Sequence, residues 1–153
     1  MNRLLVLTEP PERGSQLLMF LVDTNVLSEL TRPRPHLPVV RRLLSTDPAA
    51  LHASEITRYE LRFGAAIHER PKEVWAKVER EILPLPVWLP VDERVAIATA
   101  DLRAVLRRRG QSIEMPDALL AATATIYDLV LVTRNVRHFQ NVTGLTVENW
   151  FPG

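Results

Sequence analysis

Cysteine is absent from the 153-residue sequence, and lysine is nearly absent, since it occurs only as Lys72 and Lys77. Without cysteine, the chain has no disulfide bonds and no thiolate that could bind a metal ion or act as a nucleophile. Carboxylates and histidines are then the side chains left as metal ligands. The lack of disulfides also favours a cytosolic protein.

Long apolar runs are missing as well, because no stretch approaches the roughly 18 apolar residues that a membrane-spanning helix needs. Hydrophobic residues make up 46% of the chain and charged residues 24%, which is typical of soluble globular proteins. The net charge of +1 gives no overall signal for a nucleic-acid partner. The length suits a single domain with a buried core.

The first 18 residues differ in pattern from the rest. Residues 4–7 form a short apolar run, and residues 9–14 (EPPERG) interrupt any regular structure. The apolar run is too short for a signal peptide, acids follow it, and no small-residue cleavage site appears. Met19 directly precedes the first clear strand. Residues 1–18 are therefore either an extension upstream of the true start or an ordinary tail, and we expect the domain to comprise residues 19–153.

From Met19 onward, short apolar strands alternate with longer helical patterns, which predicts an α/β domain. In such a three-layer fold, a central, mainly parallel sheet is flanked by helices. The predicted strands are residues 20–22, 50–53, 87–91, 130–133 and, more weakly, 145–147. The predicted helices are residues 24–30, 38–44, 72–82, 92–109 and 116–127, together with one that carries Ile56, Glu60, Leu61 and Ile67.

Polar side chains follow the ends of several predicted strands. Asp23 ends the first strand, Asn135 follows the strand at 130–133, and Glu60 lies in the first turns of a helix that follows the second strand. Ligands of open parallel sheets bind beyond the carboxyl ends of the strands. Asp117 stands at a helix N-terminus, which favours a carboxylate and faces the same edge if the helix runs antiparallel to the strands. Three carboxylates and one amide are therefore predicted to converge.

A cluster of carboxylates favours a bound cation, because like charges at close range do not all stay ionised without one. Oxygen ligands suit a hard ion such as Mg²⁺ or Mn²⁺. Such an ion lowers the pKa of a bound water and stabilises the charge of an in-line displacement at phosphorus. The pattern suggests phosphodiester hydrolysis, although a single acid that caps a helix or ends a strand usually has a structural role.

The basic residues of interest follow strand ends near the predicted site, where guanidinium groups could hold the phosphates of a phosphodiester substrate. They are Arg32, Arg34, Arg134 and Arg137. By contrast, the run of arginines at 107–109 is typical of a solvated helix end that complements the helix dipole. The four histidines (His36, His52, His68 and His138) show no ligand spacing, so we expect structural or surface roles for them.

Four segments, in this order, resemble the motifs of PIN-domain ribonucleases. They are residues 21–29 (LVDTNVLSE), 59–64 (YELRFG), 116–124 (PDALLAATA) and 132–135 (VTRN), the last followed by His138 and Phe139. The similarity extends from Met19 to Gly153 and is strongest to the VapC and FitB branch of bacterial toxins. Any one motif is weak evidence, whereas the ordered set is specific.

The resemblance implies a Mg²⁺-dependent endoribonuclease, with Mn²⁺ as a substitute, that acts as the toxin of a type II toxin–antitoxin system. It assigns Asp23, Glu60 and Asp117 as metal-binding catalytic residues. The fourth acid of the family falls at Asn135, which removes one negative charge and puts a second metal ion in doubt. Thr133, and also Asn25, are expected to support the site through hydrogen bonds.

The resemblance also implies partners: an RNA substrate such as tRNA, a VapB- or FitA-like antitoxin, and a second copy of the chain. DNA would be contacted only through the antitoxin, and no membrane is involved. In VapC-like toxins, the early helices form an apolar groove that receives an antitoxin segment. Apolar residues of the early helices could belong either to that groove or to the core; they are Val26, Leu27, Leu30, Val39, Trp75, Val78 and Ile82.

Two alternatives belong to other functional classes. A PIN-like domain could bind RNA or protein without cutting, since Asn135 leaves the acidic cluster incomplete; metal-dependent cleavage by the purified protein separates this from a nuclease. A phospho-acceptor receiver domain also has an aspartate at a strand end. It fits poorly, because receivers need an early acidic pair and a lysine after a late strand, and both lysines lie in one mid-chain helix.

Overall fold

The computed structural model of the protein describes residues 18–152. Its centre is a five-stranded sheet in the order β3-β2-β1-β4-β5, and every neighbouring pair is parallel. The strands are β1 (Phe20–Val22), β2 (Leu51–Ser54), β3 (Val87–Leu89), β4 (Val130–Val132) and β5 (Val147–Glu148). The prediction of a mainly parallel sheet in an α/β domain is confirmed.

Six α-helices accompany the sheet in the described part of the chain: α1 (Thr24–Leu27), α2 (Leu37–Ser45), α3 (Glu55–Ala66), α4 (Pro71–Glu81), α5 (Glu93–Arg108) and α6 (Met115–Tyr127). Local sequence explains several of their ends. The Ser54 and Asp92 side chains cap α3 and α5 by accepting hydrogen bonds from backbone N–H groups. Gly110, with a φ of +72°, turns the chain after α5. None of the helices within residues 18–152 is long and apolar enough to cross a membrane.

Three predicted elements differ from the structure by two or more residues at an end, and the others agree to within one residue where their bounds were predicted. The helix expected over 24–30 continues after α1 as a 3₁₀ turn, Ser28–Thr31, because Arg32 precedes a proline and is extended. The strand expected over 87–91 ends at Leu89, since Pro90 has no N–H for the sheet. The last strand lies at Val147–Glu148 instead of 145–147, because these residues pair with the end of β4.

The core has two parts, one on each face of the sheet. Phe20 and Val22 of β1 face a cluster that includes residues of α1, α2, α3 and α4. Leu21, between them, faces a cluster that includes residues of α5 and α6. This alternation follows from the two-residue period of a strand, and β1 is buried on both faces. The expected three-layer architecture is therefore present.

Most of the apolar residues of the early helices that were assigned to either the antitoxin groove or the core lie in the core. Val26, Leu27, Val39, Val78 and Ile82 are buried. Leu30 and Trp75 are only partly buried, at the edge of the first core cluster.

The predicted N-terminal extension falls outside the described residues except for Leu18, which packs against the first core cluster. Met19 then joins the sheet, since its carbonyl accepts a hydrogen bond from the backbone N–H of Val130 at 2.9 Å. Met19 as the true start stays a prediction.

Candidate active site

An open cleft of about 470 Å³ lies at the carboxyl ends of β1 and β4. Its walls are formed by Asp23, Thr24, Asn25, Glu60, Glu114, Pro116, Asp117, Asn135 and His138. Asp23 and Asn135 come from the two strand ends, Glu60 comes from α3, and Asp117 comes from the first turn of α6. The structure thus brings all four side chains that the sequence suggested for catalysis to one cleft.

Asp23 is the most tightly held carboxylate of the cleft, and only 7% of the residue is exposed. It caps α1, because its Oδ1 accepts a hydrogen bond from the backbone N–H of Thr24 at 2.7 Å. Its Oδ2 accepts from the Thr133 hydroxyl at 2.8 Å and from the Asn25 amide at 3.3 Å. The carboxylate is therefore fixed in orientation before any ligand arrives.

Burial raises the pKa of Asp23 from 3.8 to about 6, because the charged form loses its hydration. The hydrogen bonds from Thr133 and Thr24 oppose this shift by stabilising the carboxylate. The negative charges of Glu60 and Asp117 raise the pKa further. The cleft thus concentrates negative charge around a carboxylate that has little contact with water.

Thr133 and Asn25 connect the segment after β4 to the segment after β1. The buried Thr133 hydroxyl donates to Asp23 and accepts a hydrogen bond from the backbone N–H of Asn135 at 3.0 Å. Asn25 accepts a hydrogen bond from the backbone N–H of Arg134 at 3.2 Å. Both side chains form a hydrogen bond with Asp23, and the supporting role expected for them in catalysis stays a prediction.

Glu60 is oriented by threonines that the sequence did not single out for the site. The Thr24 hydroxyl donates a hydrogen bond to Glu60 Oε1 at 2.5 Å and lies 3.1 Å from the Thr57 hydroxyl. Thr24 directly follows Asp23, so the first turn of α1 contacts two of the acids at once. The position of Thr24 in the first motif, residues 21–29, was the sequence signal that could have identified it as a site residue.

Glu114 and His138 are further members of the cleft that the sequence analysis missed. His138 Nδ1 lies 3.0 Å from Asp117 Oδ2, and Glu114 occupies the N-cap position of α6. His138 was expected to have a structural or surface role, and no regular ligand spacing links it to Asp117. Glu114 lies three residues before Asp117, and this spacing at a helix N-terminus was the signal available for it.

The cleft offers a metal ion only oxygen donors, apart from the imidazole of His138. Within residues 18–152, His138 is also the one basic group at ion-pair distance from the four carboxylates of the cleft. No three histidine, aspartate or glutamate side chains of this part of the chain already have a metal-binding arrangement. The donor set and its uncompensated charge nevertheless fit a hard divalent cation.

The four arginines that the sequence suggested for RNA binding do not line the cleft. The Arg134 guanidinium stacks over the ring of Phe151, with its carbon 4.4 Å from the ring centroid. Arg32 Nε lies 2.8 Å from Oε2 of the buried Glu29, so this guanidinium already has a carboxylate partner. Arg34 and Arg137 are exposed. An RNA contact by these residues stays a prediction.

The four motifs that form this cleft are also the parts of the chain that carry the family resemblance. A family model of the PIN domain matches residues 20–145. The chain belongs to the PIN-domain family. Membership excludes the receiver-domain interpretation, whose aspartate serves a different chemistry.

Two relatives and one solved structure show the branch of PIN domains to which the chain is similar. Toxin FitB of Neisseria gonorrhoeae is 38% identical over 79% of this chain and 91% of its own length. The tRNA(fMet)-specific endonuclease VapC of Salmonella typhimurium is 33% identical over 88% of this chain and 99% of its own length. In the DNA-bound VapBC structure from Salmonella typhimurium, the matching chain is 31% identical and superposes with a TM-score of 0.76. The match covers 88% of this chain and 99% of that one.

Proposed function

We propose that this PIN domain is a metal-dependent endoribonuclease that acts as the toxin of a type II toxin–antitoxin system. The observation that carries the proposal is the convergence of Asp23, Glu60 and Asp117 on one open cleft, next to Asn135. The names of the relatives support the same activity, because one is a toxin and another is a tRNA endonuclease. RNA, with tRNA as the first candidate, is then the substrate, and we assign the activity to the cytoplasm.

In this proposal, Asp23, Glu60 and Asp117 hold Mg²⁺, for which Mn²⁺ can substitute. The bound ion supplies Lewis acidity, which activates a water and stabilises the negative charge that develops on the phosphodiester. Thr133 and Asn25 hold the Asp23 carboxylate in place, and Thr24 does the same for Glu60. His138 orients the Asp117 carboxylate. Because four side chains fix the three acids, the ligands need little reorganisation when a cation binds.

Metal-dependent cleavage by the purified protein is the direct test. We expect the full chain to cut RNA internally when Mg²⁺ or Mn²⁺ is present and to stop when a chelator is added. Sequencing of RNA ends after induced expression would then identify the target. RNA binding without any metal-dependent cut would instead favour the binding-module alternative, in which Asn135 leaves the site inactive.

We also expect a small VapB- or FitA-like antitoxin to be encoded beside this gene and to block the cleft. Co-expression should restore the growth of cells that produce this protein, and the two chains should elute together from a sizing column. The catalytically silent Asp117→Asn chain is the control, because it should bind the same partner without affecting growth. Failed rescue together with an absent complex would contradict the toxin assignment and leave the nuclease chemistry open.

A homodimer belongs to the same proposal. Tyr59 and Phe63 of α3 and Ile67, the residue directly after it, are exposed apolar side chains at a spacing of four, and the Tyr59 and Phe63 rings are stacked 6.0 Å apart. Exposed apolar rows of this kind are common where two chains associate. The elution volume of the protein without its antitoxin on the sizing column gives its mass, which should be that of a dimer.

Asn135 sets an expectation for metal binding. Its amide offers one oxygen and no charge, so we expect at most one metal ion in the free protein, and tighter Mn²⁺ binding by Asn135→Asp. The gain should be about tenfold, which corresponds to about 1.4 kcal/mol from one added carboxylate. Calorimetric titration measures both quantities.

Asn141→Asp is the matched control for that titration. It adds the same charge at an exposed asparagine that does not line the cleft. Equal Mn²⁺ affinity in the two variants, or two equally tight sites in the unmodified protein, would contradict the expectation.

A further inference from the structure

A second concave surface, which we call the α5 pocket, lies at the C-terminal end of α5. Its volume is about 460 Å³, and it is lined by Arg103, Ala104, Arg107, Gln111, Ser112 and Ile113. Arg103 and Arg107 are four residues apart, so they share one face of the helix. The arginines at 107–109 were expected to form only a solvated helix end.

The shape of the α5 pocket is fixed by the turn that follows the helix. Gly110 adopts a left-handed conformation, and the backbone N–H of Gln111 donates to the carbonyl of Leu106 at 2.9 Å. The chain therefore folds back beside the last turns of α5. Arg103 Nε then donates to the carbonyl of Ile113 at 3.2 Å, and Ile113 is buried in the second core cluster.

The polar groups of the α5 pocket match an anion. Two guanidinium groups at this spacing repel each other, and in the part of the chain that the structure describes neither forms an ion pair. The helix dipole favours basic residues in the last turn of α5. It therefore accounts for Arg107 but not for Arg103, which lies before that turn. Gln111 and Ser112 add an amide and a hydroxyl, both hydrogen-bond donors.

The α5 pocket adjoins the acidic cleft through the chain itself. Ile113 lines the pocket, and the next residue, Glu114, lines the cleft. An acidic cleft repels the phosphates of a bound strand wherever no cation intervenes, so an adjacent basic pocket offers the strand a compensating contact. The arrangement suits a polymer with repeated phosphates, one of which lies at the acids while another occupies the α5 pocket.

We propose that the α5 pocket binds a backbone phosphate of the RNA strand, flanking the phosphodiester that lies in the cleft. This inference rests on the proposed function in taking RNA as the ligand. Arg107 supplies the charge of the subsite, and Arg103 supplies charge while also holding the turn at Ile113. The subsite binds phosphate and not bases, so it adds affinity without adding sequence preference.

The test compares Arg107→Gln with Arg108→Gln, both in the full-length Asp117→Asn background, which should bind RNA without cutting it. Arg108 is the neighbouring exposed arginine at the same helix end and does not line the α5 pocket. The probes are fluorescently labelled single-stranded RNAs of increasing length, titrated over a range of salt concentrations. Matched thermal unfolding of the two variants shows that both are folded.

We expect Arg107→Gln to weaken the binding of the longer RNAs about fivefold to tenfold at low salt. The plot of log affinity against log salt should also become shallower, with the magnitude of its negative slope reduced by about 0.7, the value for one single-strand phosphate contact. The loss should shrink for RNAs too short to reach beyond the cleft. Equal affinities and slopes for the two variants would overturn the inference.

Two other results would also overturn it. In one, Arg107→Gln loses a co-expressed protein partner but keeps its RNA affinity, which would make the pocket a protein contact. In the other, inorganic phosphate stabilises the parent protein through Arg107 while RNA affinity is unchanged, which would make the ligand a free anion. If the unmodified chain binds RNA without cutting it, that result would contradict the proposed nuclease activity. The comparison of Arg107→Gln with Arg108→Gln would still test whether the α5 pocket binds an RNA phosphate.

Discussion

Asp117→Asn is expected to abolish RNA cleavage and toxicity while the protein stays folded. Asp117 lies in the first turn of α6, and its side chain is 19% exposed at the cleft. Removing its charge takes one of the proposed metal ligands from the site. The loss of rate should exceed the 10- to 100-fold that is typical when a residue behind a metal ligand is changed. Cleavage of RNA at saturating Mg²⁺ and colony counts after induction measure the two effects.

Asp101→Asn is the matched control for this variant. Asp101 is an exposed aspartate of α5 outside the cleft, and in the described chain it forms no ion pair. It should cleave RNA as the unmodified protein does. A fully active Asp117→Asn protein would remove the main argument for a carboxylate site in this cleft.

Asp23→Asn should also inactivate the protein, but its second effect is on stability. The folded pKa of Asp23 is about 6, above its ordinary value of 3.8, so the folded state favours the protonated form. The contribution of this group to stability is therefore present below pH about 4 and is lost as the pH rises through about 6. A shift of about two pKa units corresponds to about 3 kcal/mol at neutral pH.

The metal-free Asp23→Asn protein should accordingly be more stable than the parent at neutral pH. The net gain should be about 2 kcal/mol, because the neutral amide makes weaker hydrogen bonds with Thr133 and Thr24. The gain should disappear near pH 4, where the parent aspartate is protonated. Chemical denaturation with a chelator at both pH values measures it, with Asp101→Asn expected to change stability little. A less stable variant at neutral pH would show that the carboxylate is not destabilising there.

Much of this site follows from local patterns in the chain. Asp23 and Asn135 each follow a buried strand, and parallel strands end at the same edge of a sheet, so their proximity needs only the strand assignment. Asp117 follows similarly, since α6 must carry the chain from that edge back to the opposite edge, where β4 begins, and its N-terminus therefore lies beside the strand ends. These inferences depend on element order and not on side-chain conformation.

The contacts between side chains could not be obtained in this way. His138 reaches Asp117 from a 3₁₀ turn 21 residues later in the chain, and its direction depends on how that turn packs. Gln111 and Ser112 line the α5 pocket only because Gly110 reverses the chain beside α5. The position of the last strand was likewise set by pairing with β4, which its own residues do not encode.

The central position of β1 has a consequence for synthesis on the ribosome. β1 is made first, yet one of its two neighbours in the sheet is β4, and Thr133, which fixes Asp23, lies 110 residues further along the chain. Contacts at such long sequence separation form late, because the intervening chain must first exist and close the loop. A nascent chain therefore carries its aspartate long before that aspartate is oriented. The ribosome, itself rich in RNA, makes this protein with the proposed catalytic centre unassembled until most of the domain has emerged.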